Sequence, residues 1–191
     1  ALYITVFVCA AWRLLDRRQE SRMSDVVSST FAAVYVPFLA SFVVLMMAAW
    51  HNAWVFVVFE LMVIANDTGG WAAGVMFGKH PMAPALSPKK SWEGFAGSAL
   101  TAIAVGVFGL WLLGASWWWG VVAGISIAFV GTMGDLTESL IKREAGLKDM
   151  SQILPGHGGV LDRVDALLMS APVAYFIFAW ALPGISWESR H

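Results

Sequence analysis

Long, uninterrupted apolar runs dominate the chain, and no other feature narrows its fold as much. They lie at about 1–12, 26–50, 53–78, 93–114, 117–140 and 165–183. A helix crosses a hydrocarbon core ~30 Å thick with about 20 apolar residues. Backbone in lipid must also satisfy its own N–H and C=O groups, which a helix does unaided. The runs therefore predict an all-α fold, a polytopic transmembrane helical bundle of about six spans forming a single integral membrane domain over 1–191. Composition agrees: only 13% of the residues are charged, where a soluble domain carries about 25%.

The first run, ALYITVFVCAAW, is short for a span and starts at Ala1, so the chain is expected to begin inside a longer protein, truncated at its N-terminus. No basic segment of a cleavable signal peptide precedes it. Cys9 is the only cysteine, which excludes an intrachain disulfide and a thiolate metal cluster, and it reads as a small buried hydrophobe. The net charge of −1 points to no partner class, and no nucleic-acid partner is expected.

Where the charges sit says more. Arg13, Arg17, Arg18 and Arg22 lie in the linker 13–25, Lys79, Lys89 and Lys90 in 79–90, and Lys142, Arg143, Lys148 and Arg163 in 142–163. Six spans bring these linkers out on one face, while the opposite connections at 51–52 and 114–116 carry no Lys or Arg. By the positive-inside rule the basic face is cytoplasmic. Trp117, Trp118 and Trp119 open the fifth span on the other face, where aromatic rings anchor at the headgroup level. Gly70, Gly74 and Gly78, and again Gly120 and Gly124, form small-xxx-small patterns that let helices approach closely.

Against this background the polar residues need an explanation. Asp67 stands about two-thirds along the third span, at a depth where a carboxylate must be paired, protonated or facing water, and marks a functional candidate. It shares the face of Gly70, Gly74 and Gly78 and is expected to point into the bundle; a plain helix–helix hydrogen bond is the competing reading. At the end of the fifth span Asp135, Ser139 and Lys142 recur at i, i+4 and i+7, forming one polar stripe. Surface pairing of Asp135 and Glu138 with Lys142 would be the bland explanation.

In the linker 142–164, LPGHGG cannot be helical, because Pro155 lacks a donor and the glycines permit close backbone approach to a ligand. Asp162 and Asp165 follow at i and i+3 where the last helix begins, a spacing also explained by capping. Capping does not explain His157 or Arg163. The linker 79–92, rich in Pro and Lys, leads through a candidate N-cap, Ser91, into the fourth span; Lys89 and Lys90 are weaker candidates for phosphate contact. One face thus collects aspartates, lysines, arginines and a glycine-rich turn. That inventory suits a polyphosphate with a hard divalent cation such as Mg²⁺, which binds through one or two carboxylates plus phosphates, with Lys and Arg neutralising the remaining charge.

The segment SLIKREAGLKDMSQILPGHGGVLDRVD, residues 139–165, resembles the signature of phosphatidate cytidylyltransferases (CDP-diacylglycerol synthases). Ser139, Lys142, Arg143, Lys148, Asp149, His157, Gly158, Gly159, Asp162, Arg163 and Asp165 stand in register with it. NDTGGWAAGVMFGKH, SPKKSWEG and GDLTESLIKR are similar to further family segments, so the resemblance covers roughly 60–191. It implies transfer of CMP from CTP to phosphatidic acid, giving CDP-diacylglycerol and pyrophosphate, by a Mg²⁺-dependent homodimer, with K⁺ as a further candidate ion.

On this reading Asp135, Asp162, Asp165 and Asp67 are candidate metal ligands, the first three also catalytic with Lys142 and Arg143. Lys89, Lys90, Ser139, Lys148, Asp149, His157, Gly158, Gly159 and Arg163 would contact substrate. The protein would reside in the cell (inner) membrane with its site facing the cytoplasm. Competing readings are a CTP-dependent kinase of a polyprenol-type lipid, which would release CDP, and a cation transporter lined by Asp67 and Asp135. A non-enzymatic lipid-binding scaffold would not need several aspartates. CDP-alcohol phosphatidyltransferases are set aside, because the chain lacks their D-x-x-D-G-x-x-A-R cluster.

Overall fold

The computed structural model describes residue 11 and residues 23–50, 52–84, 87–144 and 161–182; at 23–36, 88–89, 138, 141–144 and 161–165 it describes the backbone alone. Within these residues the chain is mostly helical: α1 (Met23–Trp50), α2 (Ala53–Phe77), α3 (Trp92–Leu112), α4 (Trp117–Glu144) and α5 (Leu161–Ala181). Segments Ala53–Phe77, Trp92–Leu112 and Trp117–Thr137 are long and apolar enough to cross a membrane. The expected run at 1–12 lies outside the described residues except for Ala11, which is helical.

Local chemistry sets the helix ends. The Asn52 side chain accepts from the Trp54 N–H at 3.0 Å and caps α2, supplying one of the partners that first-turn donors lack. At the other end the Gly78 N–H donates to Gly74 O. A Cβ on Gly78 would lie 2.2 Å from that same oxygen, so the closing turn requires glycine. Ser91 caps α3 by accepting from the Gly94 N–H at 3.1 Å. Beyond α3, Gly114 adopts φ 87°, a left-handed conformation that glycine takes without steric cost. Pro37 and Pro172 sit inside α1 and α5, as membrane-type helices tolerate.

The all-α expectation, which treats 79–92 as loop, needs one amendment: a small antiparallel hairpin, β1 (Pro81–Ala83) with β2 (Ser87–Ser91), bridges α2 and α3. Its cause is local. His80, Ala83 and Ser87 each precede a proline, and the proline ring drives the preceding residue into extended conformations. Pairing then satisfies backbone groups that no helix can use. The register sets Pro81 opposite Ser91 and Ala83 opposite Ser87, with an irregularity between.

The helices pack in sequence, α2 on α3, α3 on α4 and α4 on α5, with α1 resting on α5. Val55, Phe59, Met62 and Val63 of α2 meet Leu110 of α3, Ala123 and Ile127 of α4, and Ala171, Ala174 and Phe178 of α5 in one buried core, joined by Met46 of α1. Large apolar side chains are equally abundant outside: Trp71, Val75, Leu100, Phe108, Trp111, Phe129 and Trp180 are exposed. Such an apolar exterior suits lipid as the surrounding solvent. Of the tryptophans expected to anchor at the headgroup level, Trp117 and Trp118 face out, while Trp119 is partly buried against the core.

The expected glycine patterns mark the tightest crossings. Gly70 meets Ser98, Gly97 meets Ala73 and Gly69, and Gly120 and Gly124 lie against the backbone of Val107 and Ile103. Gly78 closes α2 and lies at the end of this seam, where an added Cβ would stand 2.9 Å from the Ser91 hydroxyl oxygen.

Candidate active site

Three of the polar residues expected on one face, Asp67, Lys90 and Asp135, line a common cavity. A cavity of about 460 Å³ is lined by α2, the hairpin, α3 and α4, a volume within the range of small-molecule sites. Asn66 and Asp67 come from α2, Lys90 and Ser91 from β2, Ser98 from α3, and Thr132 and Asp135 from α4. Trp71, Met82 and Phe95 give the same cavity an apolar part.

Asp67 shares its face with Gly70 and Gly74, as expected, but it opens onto the cavity and is exposed. A carboxylate in a polar opening keeps solvation that it would lose between packed helices. Asn66 donates from Nδ2 to Asp67 Oδ1 at 3.1 Å and is itself buried. The backbone beneath is braced twice: Ser98 Oγ donates to Asn66 O and Thr101 Oγ1 to Ala65 O, each at 2.7 Å. Hydroxyl to carbonyl bonds between apolar helices are worth about 0.6–2 kcal/mol each. They fix the turn of α2 that carries Asp67.

Asp135, on α4, pairs with the Lys90 ammonium across 45 positions of sequence. Lys90 has a well-defined origin. Glu93 Oε2 accepts from the backbone N–H groups of Lys79 and His80 at 3.2 Å each, and Oε1 contacts His80 Nδ1 at 2.6 Å. The Trp92 N–H donates to His80 O at 3.0 Å. These contacts clasp the base of the hairpin to the first turn of α3, only two residues from Lys90.

Of the residues expected from sequence, Asp67, Asp135 and Lys90 meet in this cavity. Ser139 does not line it, and its hydroxyl donates to Asp135 O at 2.8 Å, which spends the hydroxyl proton on the helix backbone. Lys142 and Arg143 follow in the last turn of α4, and Asp162, Arg163 and Asp165 lie in the first two turns of α5; for all five the backbone is described. The Lys89 side chain, and Lys148, Asp149, His157, Gly158 and Gly159 entirely, lie outside the described residues.

Sequence reasoning passed over Asn66, Thr132, Ser98 and the Glu93–His80 clasp. A signal existed for three of them: Asn66 adjoins Asp67, Thr132 precedes Asp135 by one helical turn, and Ser98 follows Ser91 and Gly94 at i+7 and i+4.

The donor set suits a hard cation. Among the described residues no group of three or more His, Cys, Asp or Glu side chains gathers. Two carboxylates and several neutral oxygens around one cavity nevertheless match Mg²⁺, which takes one or two carboxylates and completes its shell with phosphate and water. A lysine among them suits phosphate charge.

Membrane-length apolar helices and an oxygen-rich cavity bearing a lysine define a class of helical, membrane-associated proteins with a polar site. More closely, the chain belongs to the cytidylyltransferase family, whose model matches residues 1–181. It is 42% identical over 186 residues to the phosphatidate cytidylyltransferase of Mycobacterium bovis, covering 90% of this chain and 60% of that protein. The Mycobacterium tuberculosis protein of the same name is also 42% identical, with 90% and 56% covered. A third, from Haemophilus influenzae, is 39% identical over 136 residues, 68% of this chain and 47% of that protein. The chain thus spans 56–60% of the length of the mycobacterial relatives.

Proposed function

We propose that the protein is a phosphatidate cytidylyltransferase, transferring CMP from CTP to phosphatidic acid. The observation that carries this reading is the meeting of Asp67, Asp135 and Lys90, from three separate elements, in one cavity that also has an apolar part. A water-soluble nucleotide and a lipid headgroup need such a mixed site. The relatives' names favour this reaction over lipid phosphorylation or cation transport.

A phosphatidate phosphate oxygen attacks the α-phosphorus of CTP in line; the bond from that phosphorus to the bridging oxygen breaks, and pyrophosphate leaves with the electron pair. The attacking oxygen is already anionic near neutral pH, so no strong general base is needed, and catalysis consists of positioning and charge neutralisation. Bound Mg²⁺ would supply positive charge to the phosphates and hold them in place. Asp135 and Asp67, with Asp162 and Asp165 from α5, would hold the cation; K⁺ is a further candidate ion. Lys90 neutralises phosphate oxygens. Lys89, Lys142, Arg143, Lys148 and Arg163 are assigned the same task, with Ser139, Asp149, His157, Gly158 and Gly159 shaping the nucleotide and phosphate contacts.

The proposal includes a single membrane domain of six spans, a homodimer, and placement in the cell (inner) membrane with the cavity facing the cytoplasm. Labelled CTP tests the reaction. Label on the α-phosphate should enter the lipid phase while label on the γ-phosphate leaves as pyrophosphate; γ-label in the lipid phase would identify a lipid kinase instead.

A further inference from the structure

Lys90 and Asp135 do more than share the cavity, because each occupies what the other's ligand would need. The ammonium lies against the Asp135 carboxylate, the group on α4 proposed to hold the cation. Both remain partly accessible, with side-chain exposures of 26% and 37%, so neither is locked in a sealed interior. The backbone of Lys90, by contrast, is tied down: it lies in β2, next to the Ser91 cap and the Glu93 clasp. A flexible four-carbon stem on a fixed base can swing its ammonium while the base stays put.

We propose that Lys90 is an exchangeable counter-ion, neutralising Asp135 until nucleotide arrives and then moving to a phosphate oxygen as a divalent cation takes over the carboxylate. This rests on the reading of the cavity as a cation and polyphosphate site. Its consequence is coupling. A divalent cation alone must displace Lys90 and leave its ammonium close to a like charge, and a polyphosphate alone must draw Lys90 away from Asp135. When the two bind together each relieves the other, so each raises the affinity of its partner by the same factor.

The test is Mn²⁺ binding to the full-length protein in detergent, followed by the loss of the free Mn²⁺ paramagnetic signal, with and without CTP and without phosphatidate so that nothing turns over, each read against the same solution lacking protein because CTP itself chelates Mn²⁺. The wild type should bind Mn²⁺ weakly alone and more tightly with CTP. Lys90→Met should bind Mn²⁺ alone about three- to tenfold more tightly, the size expected for losing a partly exposed charge contact, and should gain less from CTP than the wild type, because only the direct metal–phosphate contact remains. Lys90→Arg, which keeps the charge, should behave as the wild type.

If Lys90→Met does not fold, Lys90→Gln carries the same expectation. Unchanged or weaker Mn²⁺ binding in the neutral variant overturns the proposal, as does failure of every variant to bind Mn²⁺. Pyrophosphate release by the same wild-type preparation separates the two claims. Release without the Mn²⁺ shift leaves the reaction standing and sinks the exchange; the shift without release does the reverse.

Discussion

Two glycines from equivalent patterns should respond oppositely to the same substitution. A Cβ added at Gly120 would stand 2.3 Å from both Cα and N of Val107 and 2.5 Å from the Gly106 carbonyl carbon. All three are backbone atoms of α3, so no rotamer change relieves the clash. Restoring ordinary contact near 3.4 Å means parting α3 and α4 locally by about 1 Å, and overpacking of this kind costs about 1–3 kcal/mol. The gain in helix propensity from Gly to Ala offsets up to about 1 kcal/mol. At Gly74 the nearest atoms to an added Cβ are Ser91 Oγ at 3.7 Å and Gly94 Cα at 3.8 Å, which is ordinary contact. Gly120→Ala should therefore destabilise by about 1–2 kcal/mol, while Gly74→Ala should be neutral or slightly stabilising. Thermal unfolding in detergent, followed by tryptophan fluorescence, reads both. A Gly120→Ala protein as stable as the wild type would refute the close α3–α4 crossing.

Three further outcomes follow from the site. Ser98→Ala removes the bond to Asn66 O and should cost about 1 kcal/mol, measured in the same unfolding assay; a stabilised variant would contradict the bracing role given to that hydroxyl. Glu93→Ala takes away the acceptor shared by the Lys79 and His80 N–H groups, so trypsin should cut at Lys79, Lys89 or Lys90 severalfold faster, and an unchanged digestion rate would mean that the clasp does not hold the hairpin. Asp135→Asn should lower turnover by about 100-fold at saturating Mg²⁺; near-normal turnover would remove Asp135 from the cation ligands.

The fold was readable wherever one-dimensional chemistry decides it. The third apolar run, 53–78, becomes Ala53–Phe77 because Asn52 and Gly78 mark its ends with their own capping chemistry. The fifth run stops at 140, but its helix continues to Glu144, since hydropathy reports where a helix leaves the apolar layer and not where its hydrogen bonds end. The hairpin was hidden because β1 and β2 lack alternating apolar residues; its signal lay in three residues that precede prolines. Asp67 and Asp135 stood out by their depth in apolar runs. The contact of Asp135 with Lys90 could not be read, as it spans 45 positions and depends on how the hairpin folds over the helix ends.

The most direct test of the central claim is pyrophosphate release by the full-length protein in detergent, supplied with CTP, phosphatidic acid and Mg²⁺ and repeated with each omitted in turn. The account predicts release only when all three are present, together with a lipid-soluble cytidine product. Release that continues without phosphatidic acid, or CDP in place of pyrophosphate, would contradict it.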